Sequence, residues 1–426
     1  MATSDRVVVV GGGLAGLTAA RRAALGGAEV VVLEAADRLG GQLSRHTVGG
    51  IPLDAGAESF ATRGGTVAAL AESLGLGDDV VEPLEAPAWL FRSDATAIAL
   101  PATSLLGIPG TPLAADVVAV IGARAAWRAQ LDLLMLGQIG SHATSLGQLV
   151  RTRMGRGVLE GLVAPVVRGV HSVDPDDLPV ERADPRLRAT MLDEASLQGS
   201  VRRLRDPAVA GAQVAGLRGG VARLIDALAS ELDRLGVTVR RGARVEAADE
   251  SGVTVAGGER LDGRVVIAAP GVSGRADPSR LVTLVTLVVD APGLDAAPRG
   301  TGVLVVAGSG VQARALTHVT AKWSWVAELA AGRHVLRLSY DHDARTDDAQ
   351  AVESATRDAS VLLGQPLPVP DDAAVVTWER AAPRTHAVDG MQYVGESVSG
   401  TGIAAVVAQA DVASVDRPEN DSEPQG

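Results

Sequence analysis

One continuous stretch constrains this chain more than any other: the apolar run Arg6–Val10, then Gly11-Gly12-Gly13-Leu14-Ala15-Gly16, an Ala- and Leu-rich segment to Leu25, and a second apolar run, Glu29–Leu33. Short unbroken apolar runs are what strands buried on both faces require. Strand, glycine-rich turn, helix and strand make a βαβ unit, with Gly26-Gly27 ending the helix. Gly11 permits the turn, Gly13 lets backbone approach a pyrophosphate, and Gly16 lets the helix pack against the sheet. Gly12, Leu14 and Ala15 complete the loop, and the helix N-terminus offers free N–H groups to phosphates. Glu34 stands eighteen residues past Gly16, where its carboxylate accepts both ribose hydroxyls and repels a 2′-phosphate. The expected ligand is a dinucleotide other than NADP.

The continuation selects FAD over NAD. After Glu34 and Ala35 come Arg38-Leu39-Gly40-Gly41, with Arg38 in reach of phosphates and Gly40 and Gly41 open to backbone contact. Asp54-Ala55-Gly56-Ala57-Glu58-Ser59 follows, a turn whose N–H groups can meet the isoalloxazine ring. Near the far end, Val394-Gly395-Glu396 precedes Gly400-Thr401-Gly402 and an apolar helix from Ile403 to Ala408, a second helix N-terminus for the flavin.

Composition sets outer limits. With 426 residues, two or more domains are expected, and 46% hydrophobic residues suffice for their interiors. The chain has no cysteine, so disulfides, thiolate metal sites and a cysteinyl-linked flavin are excluded and FAD is expected to bind non-covalently. A net charge of −12 without a basic run argues against nucleic acid. Asp5 and Arg6 lead directly into the first strand, so no signal peptide is read, and no apolar stretch reaches membrane-spanning length. The expected location is the cytoplasm.

Further along, a helix is expected at Thr66–Gly75 and helical periodicity from about 112 to 205, including an amphipathic stretch Ala114–Leu136. A helix is expected at Val221–Leu235, strands at Val237–Arg240, Arg244–Ala248, Gly252–Val255 and Arg264–Ala269, and several more over 280–345. The tail from Asp416 reads as disordered. Asp341-His342-Asp343 reads as a polar turn, and no metal is expected.

The chain resembles the bacterial oxygen-dependent protoporphyrinogen and coproporphyrinogen III oxidases, within the wider monoamine-oxidase-like flavoprotein group. The glycine motif, Glu34, Arg38, Gly40 and Gly41 are common to that group. More particular are Ser145-Leu146-Gly147, Pro165–Pro175, Gly199-Ser200-Val201, Gly216-Leu217-Arg218-Gly219-Gly220, Lys322-Trp323 and Trp378-Glu379-Arg380-Ala381-Ala382-Pro383. Many relatives carry about one more helix before the final glycine motif, and the segment after Pro270 is also brief here.

The resemblance implies an α/β fold: a Rossmann-type FAD-binding domain interleaved with a mixed β-sheet substrate domain and a helical insert. The FAD domain would comprise residues 1–75, 215–275 and 385–415, the substrate domain 76–110 and 276–384, and the helical subdomain 111–214, with 416–426 a disordered tail. The strand at Val245 would lay its backbone against adenine. The implied reaction desaturates coproporphyrinogen III to coproporphyrin III in haem synthesis, with oxygen as acceptor and hydrogen peroxide produced. The flavin N5 takes hydride, so no protein base is demanded and no catalytic side chain is assigned. Arg45, Arg63, Arg168 and Lys322 are the candidates for the substrate's propionates. Transient contact with haem-pathway enzymes is compatible with this role, and peripheral membrane contact stays open. Protoporphyrinogen IX is the alternative substrate. An amine oxidase would need an aromatic cage, hard to build from two Tyr and two Phe. A carotenoid desaturase or a flavin-binding pathway protein without turnover completes the alternatives.

Overall fold

The computed structural model describes residues 6–412 except 63, 102, 172, 206–213, 270–271, 273–278, 344 and 382–390. The tail from Asp416, Arg63, and the segment between Pro383 and the final glycine motif therefore lie outside the described residues, apart from 391 onward.

Valine dominates the first strand, β1 (Arg6–Val10), and it lies at the centre of a five-stranded parallel sheet. β2 (Glu29–Leu33) and Thr238–Arg240 extend the sheet on one side, Arg264–Ile267 and Gln392–Tyr393 on the other. Helix α1 (Leu14–Leu25) packs Leu17 and Ala20 on one face, together with Leu224, Leu228 and Leu232 of the helix Arg223–Arg234 and Val407 of Ile403–Val412. A three-stranded meander, Val245–Asp249, Gly252–Val255 and Arg260–Asp262, covers the other face through Val253 and Val255. Val8 and Val9 are fully buried because both faces are covered.

A seven-stranded mixed sheet forms the second layer. It runs Asp372–Ala381, Ser279–Val289, His334–Asp341, Ala315–His318, Gly302–Val305, Ala88–Phe91 and Ala97–Ala99. Every pair is antiparallel except Gly302–Val305 with Ala88–Phe91. The helix Asp348–Leu363 covers one face, capped by the Asp347 side chain, which accepts from Gln350 N at 2.8 Å. Its Ala355, Ala359 and Leu362 pack on Leu287, Leu336 and Leu338.

Residues 115–204 are mostly helical. The stretch expected as one helix, Ala114–Leu136, is instead a helix Ala115–Gln130 kinked at Gly122 (φ 79°) and followed by a 3₁₀ turn, Leu131–Leu134. Arg153 explains the irregular chain beyond it. Fully buried, it pairs with buried Asp132 and donates to the carbonyls of Asp132, Leu136, Ile139 and Ala195. Such a pair is retained because either partner alone would be an uncompensated buried charge. No helix among the described residues is long and apolar enough to cross a membrane.

Candidate cofactor and substrate site

The glycine turn leaves β1 with Gly11 at φ 108°, its N–H bonded to Leu33 O at 2.8 Å. Gly13 is the N-cap of α1 in extended conformation, and no side chain caps the helix. The first turn of this twelve-residue helix therefore keeps its amides for a ligand. At Gly16 a Cβ would lie 1.9 Å from Gly11 O. Glu34 ties the turn together, its Oε2 accepting from Gly12 N at 2.7 Å and its Oε1 from Ala36 N at 2.8 Å. A cavity of about 250 Å³ opens here, lined by Gly11, Glu34, Ala35, Arg244, Val245 and Val272 among others.

The second glycine pair closes on the first. Gly40 N donates to Gly12 O at 2.8 Å, and Gly40 itself has φ 107°. Arg38 is exposed and reaches Gly41 O at 3.3 Å. Gly395 meets α1 from the other end of the chain, where an added Cβ would lie 3.1 Å from Ala15 Cβ. Glu396 accepts from Arg380 at 2.7 Å and from Gln42 at 3.3 Å. Gly402 (φ 114°) then leads into the helix beginning at Ile403.

The turn Asp54–Ser59 is held by side chains from the seven-stranded sheet. Trp378 Nε1 donates to Ala55 O at 3.0 Å, while Arg337 donates to the carbonyls of Asp54 and Gly56. Glu58 accepts from Lys322 at 2.9 Å, Trp323 at 3.3 Å and Arg337 at 3.3 Å. Burial would raise the Glu58 carboxyl, but Lys322 and Arg337 overrule it and hold the group below the usual range. Asp54 accepts from Val221 N and Ala222 N, both at 3.0 Å, and so receives the start of the helix Arg223–Arg234; burial nevertheless pushes its carboxyl up.

Among the described residues, three candidate substrate cations are already engaged. Arg45 pairs with Asp226 at 2.7 Å, Arg168 with Asp174 at 2.5 Å, and Lys322 with Glu58. Arg182, which sequence reasoning passed over, reaches Val398 O at 3.2 Å and lies beside Gly400, with its buried Nη1 unpartnered. Arg337 was passed over as well, although an arginine inside the apolar run His334–Leu338 is a visible signal. Among the described residues no group of acids and histidines could hold a metal.

Two histidines have titration consequences. Burial, helped by Arg337, lowers His46 to about 4, and burial beside His334 lowers His318 to about 4. Both are neutral when folded, whereas an unfolded histidine titrates near 6.5. Between these values the unfolded chain binds more protons, so their contribution is complete above about pH 6.5 and is lost as pH falls toward 4. Denaturant midpoints should fall steadily between pH 7 and pH 4.5. His46→Gln should flatten that slope; an identical slope in the variant would refute the assignment.

The residues present fit FAD. An acid stands at the ribose position beside a cavity, uncapped amides at the phosphate position, and a second helix N-terminus beside the turn Asp54–Ser59. Comparison with known proteins agrees. Residues 14–292 match the family described as flavin containing amine oxidoreductase. A coproporphyrinogen III oxidase of Mycobacterium tuberculosis is 30% identical over 402 residues, covering 88% of this chain and 86% of its own. The coproporphyrinogen III oxidase of Bacillus subtilis is 24% identical over 465 residues, 96% of each chain. Among solved structures, one provisionally named a protoporphyrinogen oxidase, from Exiguobacterium sp. 255-15, has a TM-score of 0.79 at 22% identity, covering 96% of this chain and 97% of that one. Putrescine oxidase bound to putrescine has a TM-score of 0.65 at 16% identity, covering 95% and 97%.

Proposed function

Because the chain belongs to the flavin containing amine oxidoreductase family, with FAD as its cofactor, we propose that it oxidises coproporphyrinogen III to coproporphyrin III. The observation that carries this reading is similarity at 30% identity along 88% of the chain to an enzyme of that name. The proposed balance is coproporphyrinogen III plus three oxygen molecules giving coproporphyrin III plus three hydrogen peroxide molecules. The proposed domain division is the interleaved one: 1–75, 215–275 and 385–415 for FAD, 76–110 and 276–384 for substrate, and 111–214 helical.

Bound FAD supplies the acceptor for hydride from the saturated bridges of the macrocycle. Glu34, the amides at the start of α1, and Arg38 hold the adenosine diphosphate end; Val245 lies along the adenosine cavity. Gly56, Ala57, Glu58, Ser59, Gly395, Glu396, Gly402 and Ile403 would hold the flavin end. Substrate carboxylates fall to Arg45, Arg63, Arg168 and Lys322; Arg45, Arg168 and Lys322 must each exchange an acidic partner for a propionate. His46, neutral and enclosed, and Glu58, held by two cations, are poorly placed to move protons, which suits a reaction whose proton losses come from pyrrole N–H groups.

The purified flavoprotein should be incubated in air with coproporphyrinogen III, protoporphyrinogen IX and a set of amines, following porphyrin fluorescence and peroxide. Coproporphyrinogen III should be turned over fastest, with peroxide appearing alongside the porphyrin. Peroxide from amines without porphyrin would replace this reading with an amine oxidase. No turnover of either tetrapyrrole would end it.

A further inference from the structure

We infer that Arg337 is the positioning residue of the flavin-facing turn: it anchors the turn at the carbonyl of Asp54 and, by holding the carbonyl of Gly56 inward, turns the Ala57 amide toward the cofactor. The inference rests on the reading that this turn borders the FAD ring. Arg337 lies in the strand His334–Asp341, where its neighbours Leu336 and Leu338 enter the core beneath the helix Asp348–Leu363. Strand alternation sends Arg337 to the opposite face, where its side chain is 7% exposed. All three of its nitrogens are engaged. Nε donates to Thr286 Oγ1 at 3.4 Å, Nη1 to Gly56 O at 3.1 Å and Glu58 Oε2 at 3.3 Å, and Nη2 to Asp54 O.

With Trp378 on Ala55 O, three successive carbonyls of the turn accept from side chains of one sheet. Of the N–H groups in those three peptides, Ala55 N donates to Ser44 O at 2.8 Å, while among the described residues nothing accepts from Gly56 N or Ala57 N. The two peptides that end at Gly56 N and Ala57 N thereby point their positive ends away from the sheet. The backbone is closely approached at this point, where a Cβ on Gly56 would lie 2.4 Å from Gln42 O. Charge acts in the same sense: Lys322 pairs with Glu58, while Arg337 faces the carboxylates of both Glu58 and Asp54, so removing Arg337 makes the cluster more negative by one charge. Free donors and the positive charge of Arg337 favour the electron-rich, reduced state of a bound isoalloxazine ring. Arg337 thus sets the redox poise of the site without touching substrate.

The test is the midpoint potential and visible spectrum of bound flavin in the wild-type holoprotein, R337M, R337K and W378F. R337M should keep FAD, with an affinity change under about tenfold, because the contacts at Glu34 and α1 are untouched, and its potential should move to a clearly more negative value. R337K, which keeps the charge but loses the fork, should recover part of the shift, and W378F should shift less than R337M in the same direction. Should R337M fail to fold, R337K and W378F still decide the matter. An unchanged potential and spectrum in the flavin-bound variants would overturn the role of Arg337 while leaving the FAD site standing. A wild-type chain that takes up no FAD would remove both.

Discussion

Glu34→Arg should purify without yellow colour and take up FAD at least about a hundredfold more weakly than the wild type. Loss of a charge-assisted hydrogen bond and introduction of a misplaced cation together cost about 3 kcal/mol or more, and each 1.4 kcal/mol is tenfold in affinity. The geometry makes the effect specific to this acid. Glu34 already accepts from Gly12 N and Ala36 N, so its carboxylate is fixed in place before the ligand arrives. Glu34 also lines the adjoining cavity, where ribose hydroxyls would donate to its remaining lone pairs. An arginine there presents only donors and detaches both backbone contacts. Glu34→Gln should lose less, since one oxygen acceptor survives. Equilibrium titration with FAD distinguishes the three proteins, and equal affinities for wild type and Glu34→Arg would show that the ribose is held elsewhere.

Gly16→Val should be more damaging still, abolishing both flavin uptake and much of the stability. The first added atom would lie 1.9 Å from Gly11 O and 3.2 Å from the Ala268 side chain, so helix and strand must part. Overpacking of this kind costs about 1–3 kcal/mol, often more where backbone has to move. Here the displaced element is α1, whose Leu17, Ala19 and Ala20 are buried in the main core of the dinucleotide layer. Gly41→Ala offers the contrast. A Cβ there would lie 3.7 Å from Gly13 Cα, ordinary contact, so the cost is limited to strain at φ 54°. Urea midpoints should therefore rank wild type, Gly41→Ala, then Gly16→Val.

These two expectations were readable before any fold was known, because local chemistry dictates the βαβ unit. Val-rich strands, a glycine at each point of close approach and an acid at the second strand's end leave few alternatives. The boundaries at Arg6–Val10, Glu29–Leu33 and Gly252–Val255 coincide with the sequence reading for the same reason. Gly122 shows where local reasoning stops. The amphipathic pattern over Ala114–Leu136 runs on through it, while the backbone there takes φ 79° and ends the continuous helix. The start of Arg223–Arg234 was equally hidden, since its leading amides are received by Asp54, about 170 residues earlier in the chain.

The candidate site divides along the same line. Gly11–Gly16, Glu34 and Gly40 form one local constellation, legible because few residues separate them. Glu58 and Lys322 were each singled out for separate roles, and no spacing in the sequence indicates that they meet at 2.9 Å. Arg337 joins them only through the pairing of the strand His334–Asp341 with Ser279–Val289 and the crossing of that sheet over the Asp54–Ser59 turn. Long-range pairing of this kind leaves no periodic trace in either segment.

The most direct test of the account is the cofactor content of the chain itself. The protein, purified without added flavin, should be denatured and its released chromophore identified and counted. The protein should be yellow and yield close to one FAD per chain, freed by denaturation alone and restored by FAD but not by NADP. A colourless protein that takes up no FAD on reconstitution would contradict it.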